Sequence, residues 1–125
     1  SQEVIQVARC DQKLAHCYVE IGDAESALKF AQKSVDVFAT AHDQRRLTYA
    51  SFELGKAQVI NGEVEEGLAT LERVLDIAAD ADPRDFEFIV AIERRIAQVL
   101  RTTGRSEEAD EIERRISAVT EIIED

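Results

Sequence analysis

Residues 14–28 read LAHCYVEIGDAESAL, residues 54–68 read LGKAQVINGEVEEGL, and residues 96–110 read IAQVLRTTGRSEEAD. The three stretches, offset by 40 and then 42 positions, share their columns. Leu14, Leu54 and Ile96 lead, each followed by a small residue, Ala15, Gly55 or Ala97. Gly22, Gly62 and Gly104 share one column, Glu25, Glu65 and Glu107 a second, and Ala27, Gly67 and Ala109 a third. Recurrence at a period of roughly 20–50 residues signals stacked supersecondary units, since one unit alone cannot bury its apolar face.

Each unit reads as a pair of helices. Before the glycine, apolar residues recur at helical spacing, as in Leu14, Tyr18 and Ile21. The glycine supplies the left-handed conformation that ends a helix. Asp23, Glu63 and Ser106 follow it and are placed to accept from the free N–H groups of the next helix. Small residues at matched columns let the two helices approach closely. The pattern predicts helices over about 2–21, 24–41, 44–61, 64–80, 84–103 and 106–123, with Pro83 in the first turn of the fifth. No strand-like alternation occurs.

At 125 residues, with 45% apolar and 33% charged positions, the chain is large enough to bury a core without metals or disulfides. No apolar run approaches the roughly 20 residues of a membrane span, and the composition predicts no leader. A net charge of −11 argues against nucleic acid and anionic membranes as partners. Cys10 and Cys17 lie about 10 Å apart along one helix, too far for a disulfide. They are expected as reduced packing residues of a cytoplasmic protein, and no metal or other cofactor is expected. His16 and His42 have no nucleophile partner, so no enzyme activity is expected.

The Leu-small pairs, Tyr18, the glycine column, the Ala27/Gly67/Ala109 column and Leu28/Leu68 together resemble the tetratricopeptide repeat (TPR) family, in a longer 40–42-residue form. Longer repeats of this kind resemble those of kinesin light chains, of Pins-type spindle-orientation adaptors and of peptide-sensing modules in bacterial regulators. The resemblance implies an all-α fold, a right-handed stack of three antiparallel helix hairpins. It implies one domain over residues 1–125, with units at about 2–43, 44–83 and 84–125. Columns that hold Leu28, Ala31 and Val35, then Leu68, Leu71 and Leu75, hold Asp110, Glu113 and Ser117 in the third unit. The last helix, 106–123, therefore reads as a polar cap that keeps Ile112, Ile116, Val119 and Ile123 for its own hairpin. Cys10 and Cys17 fall where a preceding helix would sit, so further sequence upstream of Ser1 is expected.

The family binds ligands along the free side of its first helices, which implies a binding role for that side here. Arg9, Gln12, His16, Val19 and Glu20 occupy it in the first unit. Tyr49, Phe52, Lys56, Val59 and Ile60 do so in the second, and Ala91, Arg94, Gln98, Arg101 and Thr102 in the third. Arg9, Lys56, Arg94 and Arg101 against Glu20 give this face +3, leaving −14 elsewhere. A cationic face with an apolar centre predicts a protein or peptide partner of acidic, amphipathic character. Its contacts are expected at Arg9, His16, Tyr49, Phe52, Lys56, Val59, Ile60, Arg94, Gln98 and Arg101. The alternative is structural self-association, with Phe86, Phe88, Ile89 and Ile92 as a homo-oligomer seam.

Overall fold

The computed structural model describes the backbone of residues 1–124, and the side chains of these except Val119, Ile123 and Glu124. The Val119 and Ile123 positions of the expected cap stripe thus lie outside the described residues. Six helices follow in order: α1 (Gln2–Ile21), α2 (Ala24–Thr40), α3 (Gln44–Ile60), α4 (Val64–Asp80), α5 (Phe86–Thr102) and α6 (Ser106–Glu124). Among the described residues there is no strand, so the fold is all α.

The repeated glycines end α1, α3 and α5 alike. Gly22, Gly62 and Gly104 have φ of 82, 89 and 81°, in the left-handed region. Each donates its N–H to the carbonyl three residues back, and the next residue donates to the carbonyl five back, as Asp23 N does to Tyr18 O at 2.9 Å. That pair of bonds satisfies carbonyls the helix end would leave open. Starts are capped from side chains. The Asp23, Asp43 and Asp85 carboxylates accept from Ser26, Arg46 and Phe88 N–H, each at 3.1 Å.

Two local expectations need correction, and the Glu63 carboxylate has a further partner. Pro83 stands before α5 rather than in its first turn, because Asp85 supplies the cap and α5 starts at Phe86. Ser106 is the first residue of α6, not its cap. Glu63 uses its carboxylate on the Asn61 side-chain amide at 3.2 Å.

Packing divides the chain into two compact units, Ser1–Val74 and Leu75–Asp125. In the first, α1 packs on α2, and α3 packs on both. Ala8, Phe38 and Ala50 form one buried cluster, and Val19, Ala27 and Ala57 a second. The start of α4 lies against α3, where a Cβ added to Gly67 would stand 2.9 Å from the Gly55 carbonyl oxygen. In the second unit α5 packs on α6, with Ile92, Ile96, Ala97, Leu100, Ala109 and Ile116 all buried.

One pair of columns shows how different chemistry fills one seat. Tyr18 stacks on Phe30 with ring centroids 5.6 Å apart. The same columns hold Gln58 and Thr70, where Thr70 Oγ1 donates to Gln58 Oε1 at 2.7 Å. In the third hairpin they hold Leu100 and Ile112.

Candidate functional site

In the first unit, α1 and α3 lie side by side and are joined by a polar cluster. Lys56 is only 3% exposed, and its ammonium stands 2.9 Å from Glu53 Oε2 and 3.3 Å from His16 Nδ1. His16 Nδ1 is also 3.4 Å from Glu53 Oε1. The ammonium lies 4.4 Å from the centroid of the Phe52 ring, within cation–π range. Lys56 is therefore not a cation offered to solvent, as the sequence implied. It is a buried charge held by Glu53 and His16, because α3 sits on α1 at this level. His16 itself is half exposed, with 53% of its side chain open.

Around this joint, Arg9 is exposed, while Tyr49 and Phe52 are half-buried. One and two turns before His16 on α1 stand Gln12 and Arg9, and a turn before Phe52 and Glu53 on α3 stands Tyr49. Val59 faces α4 instead, where the Gly67 column touches it. Ile60 is at the exposed end of α3, and Val19 is core. With Lys56 matched by Glu53, Arg9 is the remaining arginine or lysine of this face, and Glu20 balances its charge.

In the second unit, Arg94, Gln98 and Arg101 of α5 line an open cleft with Glu113, Ile116 and Ser117 of α6. Helical arithmetic sets Arg101 opposite its partner helix. It points toward that helix instead, its Nη2 donating to Asp110 Oδ1 at 2.7 Å and to Glu113 Oε2 at 2.6 Å. The hydrogen bond from Arg101 holds the Glu113 carboxyl below the usual carboxylate range. Repeat columns give the reason. Arg101, Asp110 and Glu113 stand where the first hairpin has Val19, Leu28 and Ala31, residues that pack there rather than face a groove. The ion-paired set occupies the seat of an apolar one. Half-buried Glu93 differs, because burial pushes its carboxyl up and Arg115 only partly offsets this.

The structure thus brings His16, Phe52 and Lys56 together where α1 meets α3, with Arg9 two turns before His16 on α1 and Tyr49 a turn before Phe52 on α3. It separately places Arg94, Gln98 and Arg101 together on α5. Glu53 is a residue of this joint that sequence reasoning missed. Its position three residues before Lys56 on one helix was the available signal. Asp110 and Glu113 were legible only as a polar cap, although their exchange together with Arg101 marked a paired substitution. The expected α5 seam also changes, since Ile92 is fully buried while Phe86 is 48% exposed. Cys10 and Cys17 are exposed rather than packed. Among the described residues, no three His, Cys, Asp or Glu side chains are grouped to hold a metal ion. No helix among them is long and apolar enough to cross a membrane.

No protein-family model matches the sequence, and no curated protein matches it at a significant level. Solved structures do match. The TPR domain of Arabidopsis FLU is similar with a TM-score of 0.79 at 19% identity, over 94% of this chain and 97% of that one. The TPR-like repeats of a Podosopora anserina putative kinesin light chain are similar with a TM-score of 0.75 at 23% identity, over 93% of this chain. A point variant of the same repeats gives 0.76 at 23%, over 95%. This chain spans 56% and 57% of those two chains. The fold is an all-α helical repeat fold of the TPR-like kind.

Proposed function

We propose that the chain is a non-catalytic protein-interaction module whose α1–α3 face binds an acidic, amphipathic peptide or partner helix. The observation that carries this reading is the meeting of exposed His16 with Lys56 and half-buried Phe52 where α1 joins α3, with exposed Arg9 two turns earlier on α1 and half-buried Tyr49 a turn earlier on α3. Aromatic side chains that are partly open offer large contact area at small entropic cost, and Arg grips carboxylates through two hydrogen bonds. The buried Lys56–Glu53 pair holds those helices in register beneath the ligand instead of contacting it directly, and His16 stays open to it. The TPR-like fold supports the reading, because repeat scaffolds of this type present extended surfaces to other polypeptides. Arg94 and Gln98 on α5 offer a second, smaller patch of the same character.

Selection from a displayed random-peptide library tests the proposal. Enriched peptides should combine Asp or Glu with Leu or Phe at helical spacing. Arg9→Glu and Tyr49→Ala should each weaken a selected peptide by about tenfold or more. A selection that enriches nothing, or peptides indifferent to both substitutions, removes the α1–α3 face as the site.

A further inference from the structure

A second apolar face runs along α1, away from the core. Val7, Cys10, Leu14, Cys17 and Ile21 follow one another at alternating spacings of 3 and 4 residues. At ~100° per residue they fall within about 80° of arc. All five are exposed: Val7 by 60%, Leu14 by 40% and Ile21 by 74%, with both cysteines free thiols. Ala8, Ala15 and Val19 serve the core from elsewhere on the helix. Strict 3-4 alternation is the narrow seam of a two-helix coiled coil, not the broader stripe by which a helix joins a globular core.

Charges along the seam say what fits it. Lys13 and Glu20, both exposed, are one heptad apart on the same edge. The whole helix carries Arg9 and Lys13 against Glu3, Asp11 and Glu20, a net −1 in a chain of −11. Two copies therefore meet little net repulsion along α1.

We propose that a second copy of this chain, rather than a preceding helix of its own, docks on this seam, with the two α1 helices antiparallel and Leu14 of each packed on Cys17 of the other. In that register, Lys13 of each copy lies opposite Glu20 of the other. Sliding by one heptad sets Lys13 against Lys13 or Glu20 against Glu20, and a parallel pairing sets Lys13 against Tyr18. The edge charges thus select one arrangement, and the seam is complementary to itself. The seam covers about two heptads, so the dimer belongs with small, reversible interfaces of micromolar affinity. Its apolar residues lie on a different side of α1 from Arg9 and His16, and Glu20 stands on the edge that the two faces share.

Sedimentation velocity of the whole chain across the micromolar range tests the proposal. The mass should rise from 14.0 kDa toward twice that value. Lys13→Glu and Glu20→Lys should each weaken the dimer by about tenfold, while the double exchange restores it. Ile21→Lys, at an exposed position, should abolish it. A short bis-maleimide resolves direction. In Cys10→Ser, the Cys17 thiols of two copies are about 4–5 Å apart along the seam and cross-link. In Cys17→Ser, the Cys10 thiols are about 16 Å apart and do not. A monomer at every concentration, a dimer indifferent to Lys13→Glu and Ile21→Lys, or equal cross-linking of both cysteine variants overturns the proposal.

Discussion

Glycine acts in two ways here, and substitution should separate them. Gly62 has φ of 89° and open space where a Cβ would go, so Gly62→Ala costs only backbone strain, about 1–2 kcal/mol. Gly67 is helical, and alanine there gains about 1 kcal/mol of propensity. Its Cβ, however, would stand 2.5 Å from Val59 Cγ2 and 2.9 Å from both Val59 N and Gly55 O. Backbone cannot step aside as a side chain does, and overpacking of this kind costs about 1–3 kcal/mol. Gly67→Ala should therefore destabilise, by up to about 2 kcal/mol net. A Cβ at Gly55 meets chiefly the Leu71 side chain, at 2.9 Å. That chain can shift, so Gly55→Ala should fall within about 1 kcal/mol of wild type. Urea denaturation of the three variants gives the order directly. Asp43 sets a second test. The Arg46 side-chain hydrogen bond, with the Arg46 backbone N–H, holds its carboxyl below its ordinary 3.8. A depressed folded value means stability that is complete above the unfolded value and lost as pH falls through the folded one. Asp43→Ala should cost about 1 kcal/mol at neutral pH. The difference from wild type should shrink below about pH 4, as thermal unfolding at several pH values would show.

Between helices, charge is used structurally where the sequence implied a ligand. Lys56 and Glu53 are 3% and 7% exposed, so each needs the other. Removing one partner of a buried pair leaves an uncompensated charge, at a cost of roughly 3–5 kcal/mol. Lys56→Met should lose about that much, while Lys56→Met with Glu53→Leu should recover most of it. Chemical denaturation of the singles and the double checks this. If the single is harmless, His16 suffices to hold Glu53 and the joint is not an ion pair in effect. This joint also shows what sequence could reach. All six helices were legible, with most ends within a residue or two, because helix-stop glycines and acidic caps are local chemistry. The face of each residue was less legible. Helical arithmetic identifies the side away from the partner helix, but not how much of that side a third helix covers. α1 covers Lys56 and α3 covers Val19 in this way. Arg101 failed for a related reason. Its charge suggested exposure to a ligand, whereas Asp110 and Glu113 had entered the matching columns of α6 to receive it.

At the scale of the molecule, packing joins helices that are close in sequence: α1 with α2, α2 with α3, α1 with α3, and α5 with α6. Chains built from such near-neighbour interfaces gain stability by summing local terms, and they open in contiguous pieces. The two compact units, Ser1–Val74 and Leu75–Asp125, define the pieces expected here. Phe38 is the large side chain at the centre of the first, fully buried beside Ala8 and Ala50. Ile92 holds the same place in the second and is also fully buried. Phe38→Ala should cost about 3–5 kcal/mol and Ile92→Ala about 2–5. Were the chain one cooperative unit, either loss would lower amide protection everywhere by the same free energy. If each unit opens by itself, Phe38→Ala speeds exchange in α1–α3 while α5 and α6 keep their protection, and Ile92→Ala does the reverse. Hydrogen exchange read by peptide mass spectrometry distinguishes these outcomes. The reciprocal pattern is expected, because a truncated core side chain weakens first the contacts that surround it. Uniform loss in both variants would mean that the coupling between units exceeds the stability of either one.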